Sequence, residues 1–164
     1  MVHGVLGTVG EDESVDADVT PLVLLLSGPN LNLLGQREPA VYGTATLADH
    51  VATATTAAQA HGLAVEHLQT NHEGQLVEAV HRARGRCVAI VINPGAFTHY
   101  AWSIHDALAT FDGPVVELHL SNPNAREPWR HTSVVAPVAS GTIAGFGSHG
   151  YRLAIDAVAS LLTR

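Results

Sequence analysis

The sequence predicts an α/β fold in which a parallel sheet is covered by helices on both faces. Three observations predict it. Short, wholly apolar runs recur along the chain, as strands covered on both sides require. Segments with helical apolar spacing separate them, and the alternation is strict enough to imply crossover connections. At 164 residues and 17.2 kDa, with a hydrophobic share of 46%, the chain has the size and composition of one domain with a real core.

The first strand is predicted over Leu22–Leu26, followed by a Gly-, Pro- and Asn-rich loop over Ser27–Gly43. Thr46 with Asp49 three residues on forms a capping box, opening a helix that Gly62 closes. Leu63–Leu68 is the second strand. Gln75–Arg84 is helical, with Leu76, Val77, Val80 and Ala83 on one side. Cys87–Ile92 is the third strand and ends at Asn93-Pro94-Gly95. Ala101, Ile104, Leu108 and Phe111 mark the inner face of the next helix. Pro114–Leu120 and Thr142–Phe146 are the fourth and fifth strands, and Tyr151–Leu162 the last helix. Five strands so connected suggest the flavodoxin-like order 2-1-3-4-5.

Composition excludes several function classes. All eight basic residues are Arg. A chain without lysine has no Schiff-base nucleophile, no pyridoxal phosphate anchor and no P-loop lysine. The net charge of −7 disfavours nonspecific nucleic-acid binding. Charged residues make up only 14%, against an average near ~25%, which points to subunit contacts over part of the surface. Cys87 is the single cysteine, so no internal disulfide or cysteine-based zinc site forms, and a cytoplasmic setting fits. The longest apolar run, around Leu22–Leu26, is far short of a membrane span.

Residues 1–20 read as a disordered acidic tail before a single domain over residues 21–164. Glu11, Asp12, Glu13, Asp16 and Asp18 leave ten acids against eight arginines once removed from the fifteen acids of the chain. The segment lacks the basic start and apolar stretch of a signal peptide. Its composition assigns it no function.

In an open parallel sheet, ligands bind beyond the carboxyl ends of the strands at the switch point, here between strands one and three. Three polar clusters are expected to converge there: Gly28-Pro29-Asn30, Asn93-Pro94-Gly95, and His119 with Ser121-Asn122. Glu117 and His119 alternate along a strand, so the carboxylate can hold and tune the imidazole as a general acid, or the two form a polar pair at the sheet's end. Tyr42 in the first loop either packs or, with Arg37 favouring phenolate, serves as a base. Ser121 offers a hydroxyl for an anion. Arg126 and Arg130, four apart, share a helical face that either grips a ligand or is solvated. Asp106 lies about 200° around its helix from Ile104, so it is either solvated or reaches a neighbouring subunit. Eleven histidines raise a metal reading, but His67 with His72 and His99 with His105 miss the i, i+4 zinc spacing.

Seven stretches, in this order and spacing, resemble the type II 3-dehydroquinate dehydratases, or type II dehydroquinases. They are residues 27–35 (SGPNLNLLG), 37–43 (REPAVYG), 71–74 (NHEG), 93–99 (NPGAFTH), 117–122 (ELHLSN), 125–127 (ARE) and 145–151 (GFGSHGY). The resemblance covers the chain from Leu22 onward. It implies a flavodoxin-like fold and loss of water from 3-dehydroquinate to give 3-dehydroshikimate through an enolate, in the shikimate pathway, with no metal and no organic cofactor. It implies that Tyr42 takes the C2 proton with Arg37 holding the phenolate, and that Asn30 positions a water for the enolate oxygen. His119, supported by Glu117, would protonate the leaving hydroxyl. Asn93, His99 and Arg130 would bind ring hydroxyls, Leu120 and Ser121 the carboxylate. Asp106 would enter the site of an adjacent subunit in a dodecamer, a tetramer of trimers. Two positions depart from the family pattern. Asn124 stands where His is frequent, and Leu120, which acts through its backbone, stands where Ile is common.

Rival readings fare worse on the residues. A flavin- or phosphate-binding protein of this fold wants a Ser/Thr- and Gly-rich loop after strand one, where this chain has Pro29, Leu31, Leu33 and Leu34. A phosphorelay receiver needs acids at the positions held by Gly28-Pro29-Asn30 and Asn93. A non-catalytic binding module of this fold should have lost Tyr42, Arg37 or His119, and all three are present.

Overall fold

A computed structural model describes residues 19–36 and 39–164. All but the last two residues of the expected acidic tail lie outside the described residues. The elements run β1 (Leu22–Ser27), α1 (Pro39–Tyr42), α2 (Leu47–Ala60), β2 (Ala64–Gln69), α3 (Glu73–Ala83), β3 (Ala89–Asn93), α4 (Trp102–Leu108), β4 (Val115–His119), β5 (Gly141–Ala144) and α5 (His149–Leu162). The strands form one parallel sheet in the order β2-β1-β3-β4-β5, the flavodoxin-like arrangement the sequence predicts.

The apolar runs are explained by alternation. Leu24, Leu26, Ile90 and Ile92 face one layer, where they pack with Leu76 and Val80 of α3 and Ile104 and Leu108 of α4. Val23, Leu25, Val91, Val116 and Leu118 face the other, against Ala54 and Ala58 of α2 and Tyr151, Ile155 and Val158 of α5. Each inner strand thus buries both faces. At the start of α2 the Thr46 hydroxyl accepts from the Asp49 N–H at 3.2 Å, and the Asp49 carboxylate accepts from the Thr46 N–H at 2.8 Å. The predicted capping box is therefore present.

Two expectations need correction. The segment expected as open loop over Ser27–Gly43 contains a 3₁₀ turn at Leu31–Leu33 and the short α1. Arg126 and Arg130 do not share a helical face. Arg130 ends a 3₁₀ turn (Pro128–Arg130), whereas Arg126 is an extended residue just after another (Pro123–Ala125). Pro123 and Pro128 start those turns and fix their φ, but neither turn grows into a helix.

Between α2 and α5, His50 stacks flat on Tyr151, with ring centroids 4.8 Å apart and planes 1° apart. Both side chains are fully buried, and neither ring nitrogen of His50 has a hydrogen-bond partner among the described residues. Burial lowers the His50 pKa, against a smaller upward pull from the Asp49 carboxylate. Burial likewise pushes the Tyr151 phenol up to about 12. The Asn93 and Ser27 side chains oppose that shift, although the hydroxyl closes no full hydrogen bond to them. A group whose folded pKa is depressed in this cationic sense binds a proton more readily unfolded. Its stability contribution is complete above the unfolded imidazole range near ~6.5 and falls as the pH drops below it. Replacing His50 by Phe keeps the stack and removes the buried nitrogens. His50→Phe is expected to raise Tm, by more at pH 5 than at pH 8, as thermal melts across that range would record.

Candidate active site

β1, β3 and β4 are neighbours, so the segments leaving their carboxyl ends meet on one side of the sheet. The first two interlock. The Gly28 N–H donates to the Asn93 carbonyl at 2.8 Å, and a Cβ built at Gly28 would lie 2.3 Å from the Pro94 carbonyl oxygen. Only glycine fits that approach. Gly28→Ala is expected to cost about 1–3 kcal/mol by overpacking against rigid backbone, read as a lower urea midpoint. Turnover should fall with it, because Asn30 and Asn93 would separate.

Between these segments lies a crevice of about 180 Å³. Pro29 and Asn30 line it from the first loop, Asn93, Gly95, Ala96 and His99 from the second, and His119, Leu120 and Ser121 from the third. Arg126 and Arg130 line it from the turns that follow. The site residues expected from the sequence that converge here are Asn30, Asn93, His99, His119, Leu120, Ser121 and Arg130, with Pro29, Gly95 and Arg126 beside them. Glu117 does not line the crevice but stands directly behind it. Asp106 is exposed on α4 and does not line the crevice of its own chain. Arg37 and the side chain of Tyr42 lie outside the described residues; the Tyr42 backbone ends α1.

The His119–Glu117 pair is closed. His119 Nε2 lies 2.8 Å from Glu117 Oε1, with the carboxylate fully buried and the imidazole side chain 11% exposed. Glu117 also accepts from the Thr98 hydroxyl, and the Ser133 hydroxyl lies 2.9 and 3.0 Å from its two oxygens. Burial, the largest single influence, pushes the Glu117 carboxyl up. The hydrogen bonds from His119, Thr98 and Ser133, with the charge of His119, outweigh it and hold the carboxyl below its usual value. An ionised carboxylate so held fixes the ring orientation of His119 and leaves Nδ1 as the nitrogen not committed to Glu117.

Neither Thr98 nor Ser133 stands out in the sequence. Thr98 sits in a 3₁₀ turn (Gly95–His99) whose spacing carries no signal of its own. Ser133 is 16 residues from Glu117 in a segment without periodicity. The Ser133 oxygen accepts from the Val135 and Ala136 N–H groups at 3.1 and 2.8 Å, a local turn that aims the hydroxyl.

The far wall is cationic. Arg130 donates through Nε to Glu127 at 2.7 Å and stacks 4.0 Å over the Trp129 ring. Arg126 reaches the Ser121 hydroxyl at 3.4 Å. His99 donates through Nδ1 to the Thr132 carbonyl at 2.7 Å and packs edge-on to Trp129. Burial chiefly lowers the His99 pKa. The Thr132 carbonyl and the Glu117 carboxylate oppose this, and electrostatic repulsion from the His119 and Arg130 side chains adds to it. Such a wall suits an anionic, hydroxyl-rich ligand. Among the described residues no group of three or more His, Cys, Asp or Glu could hold a metal ion, and no helix is long and apolar enough to cross a membrane.

Comparison with known proteins shows the family. The family model described as dehydroquinase class II matches residues 21–159. A relative named 3-dehydroquinate dehydratase 2, from Pseudomonas putida, is 57% identical over 142 residues, covering 87% of this chain and 95% of the relative. A catabolic 3-dehydroquinase from Aspergillus clavatus is 51% identical over 137 residues, covering 84% of this chain and 91% of the relative. The crystal structure of the type II dehydroquinase from Propionibacterium acnes superimposes with a TM-score of 0.81 at 44% identity, covering 85% of this chain and 96% of that one. With its fold and its sequence in agreement over nearly the whole described chain, the protein belongs to the class II dehydroquinase family.

Proposed function

We propose that the protein is a hydro-lyase that removes water from 3-dehydroquinate to give 3-dehydroshikimate through an enolate, a step of the shikimate pathway. The observation that carries this reading is the buried Glu117 holding His119 in the wall of a crevice also lined by Asn30, Asn93, Arg126 and Arg130. The C2 proton lies alpha to a ketone, so its removal needs a strong base and a donor for the enolate oxygen. Tyr42, as phenolate held by Arg37, is the base. Asn30 positions the water that supports the enolate oxygen. His119 then protonates the C1 hydroxyl as it departs. Asn93, His99 and Arg130 hold ring hydroxyls, and the Leu120 backbone with the Ser121 hydroxyl receives the carboxylate. No metal or organic cofactor takes part. With no lysine in the chain, an imine route is closed.

Residues 21–164 form the single catalytic domain. The protein is a cytoplasmic homo-oligomer, a dodecamer built as a tetramer of trimers, with Asp106 reaching the site of an adjacent subunit. The exposure of Asp106 beside exposed Tyr100 and Trp102 supports that contact, and light scattering would give the mass. The activity itself is tested by ultraviolet absorbance of the purified protein with 3-dehydroquinate. A rise from the new conjugated enone, unaffected by chelator and by prior borohydride treatment, is expected. No rise from folded, assembled protein would favour a non-catalytic binding module.

A further inference from the structure

Asn30 is the one non-glycine residue with positive φ among the described residues, at φ 66° and ψ −2°. Asn tolerates the left-handed region better than most residues, but nothing in the side chain itself compels it. The compulsion comes from another element. The Asn30 N–H donates to Asn71 Oδ1 at 2.9 Å, across 41 residues of sequence. Asn71 lies just past β2, which pairs with β1 so that Gln69 stands opposite Ser27. The two connections therefore leave the sheet side by side. Gln69 Nε2 donates both to Asn71 Oδ1 and to the Gly28 carbonyl, each at 3.2 Å. One carboxamide thus orients Asn71, and Asn71 holds the Asn30 backbone. Asn71 does not line the crevice, and the crevice residue it bonds directly is Asn30.

We propose that Asn71, oriented by Gln69, is a positioning residue that clamps Asn30 in its left-handed conformation and so keeps the Asn30 carboxamide in the crevice. This rests on the reading of Asn30 as the residue that places the enolate-supporting water. Without the clamp the Asn30 backbone relaxes toward right-handed or extended conformers, and the carboxamide swings with it. The loss falls on a group that acts as charge develops in the transition state, so kcat drops and KM is little changed.

Asn71→Leu keeps the approximate shape and removes the acceptor. Because Asn71 is exposed, the variant is expected to fold with a near-native Tm. Its kcat on 3-dehydroquinate should fall by roughly 10- to 100-fold, the scale of an ångström-sized misplacement of a working group. Asn71→Asp retains oxygens that accept from both the Asn30 N–H and Gln69, and should recover most of the loss. In an Asn30→Ala background, Asn71→Leu should have no further effect on kcat, because the two residues act as one unit. A wild-type kcat in Asn71→Leu, or a full additional loss in the Asn30→Ala background, overturns the clamp. Hydrogen exchange of the Asn30 amide separates this from a failure of the Asn30 role. Protection should vanish in Asn71→Leu and persist in Asn71→Asp, whatever the turnover. Unchanged protection in Asn71→Leu overturns the clamp, whereas full activity in Asn30→Ala overturns only the role given to Asn30.

Discussion

His119→Ala is expected to lower turnover of 3-dehydroquinate by about 10²- to 10⁴-fold, the usual scale for loss of a positioned general acid, while the fold survives. Hydroxide is a poor leaving group, and the Ser121 hydroxyl, which the same segment brings to the crevice, is too weak an acid to replace the imidazole. The fold survives because Glu117 is not left bare. Thr98 and Ser133 still donate to the buried carboxylate after the imidazole is gone, so the penalty is that of one lost hydrogen bond to a charged group, about 1.5–3 kcal/mol. Turnover and Tm measured together test both halves. A variant that loses activity by unfolding would contradict the reading of Thr98 and Ser133 as independent supports of Glu117.

Tyr42→Phe should be comparably damaging, with a loss of about 10²- to 10⁴-fold at unchanged assembly. The substitution removes one hydroxyl and keeps the ring, so its effect isolates the oxygen proposed to accept the C2 proton. A phenol titrates near ~10 and is a weak base at neutral pH unless a cation favours its ionised form. Arg37→Ala should therefore mimic the defect at neutral pH, and raising the pH should recover part of the activity in Arg37→Ala but none in Tyr42→Phe. Equal recovery in both, or wild-type turnover in either, would refute the pairing.

Much of this fold is legible from the sequence because its strands bury both faces. Leu22–Leu26 and Cys87–Ile92 read as continuous apolar runs since alternate residues enter two separate helix layers. The α2 start is legible because Thr46 and Asp49 satisfy each other's backbone donors locally. The crevice follows from topology, as three polar clusters sit at the carboxyl ends of adjacent strands. What escapes the sequence is whatever depends on long-range approach without periodicity. Ser133 reaches Glu117 from an irregular segment, and Asn71 reaches Asn30 across the β1–β2 edge. The Arg126–Arg130 spacing suggests a helix that the prolines at 123 and 128 break into two short turns. Spacing does not assign the individual chemical roles, which only the family resemblance implies, since a loop Tyr or a strand Glu-x-His pair serves structure as readily as catalysis.

On the proposed mechanism, two separate groups move the two protons of the elimination, one at C2 and one on the departing hydroxyl. This division is tested most directly by incubating the variants with 3-dehydroquinate in deuterium oxide and following C2 exchange beside enone formation. In His119→Ala, C2 exchange should persist at a rate well above that of water loss, whereas in Tyr42→Phe both should fall together. Loss of exchange in His119→Ala to the same extent as dehydration, or exchange that continues unchanged in Tyr42→Phe, would contradict it.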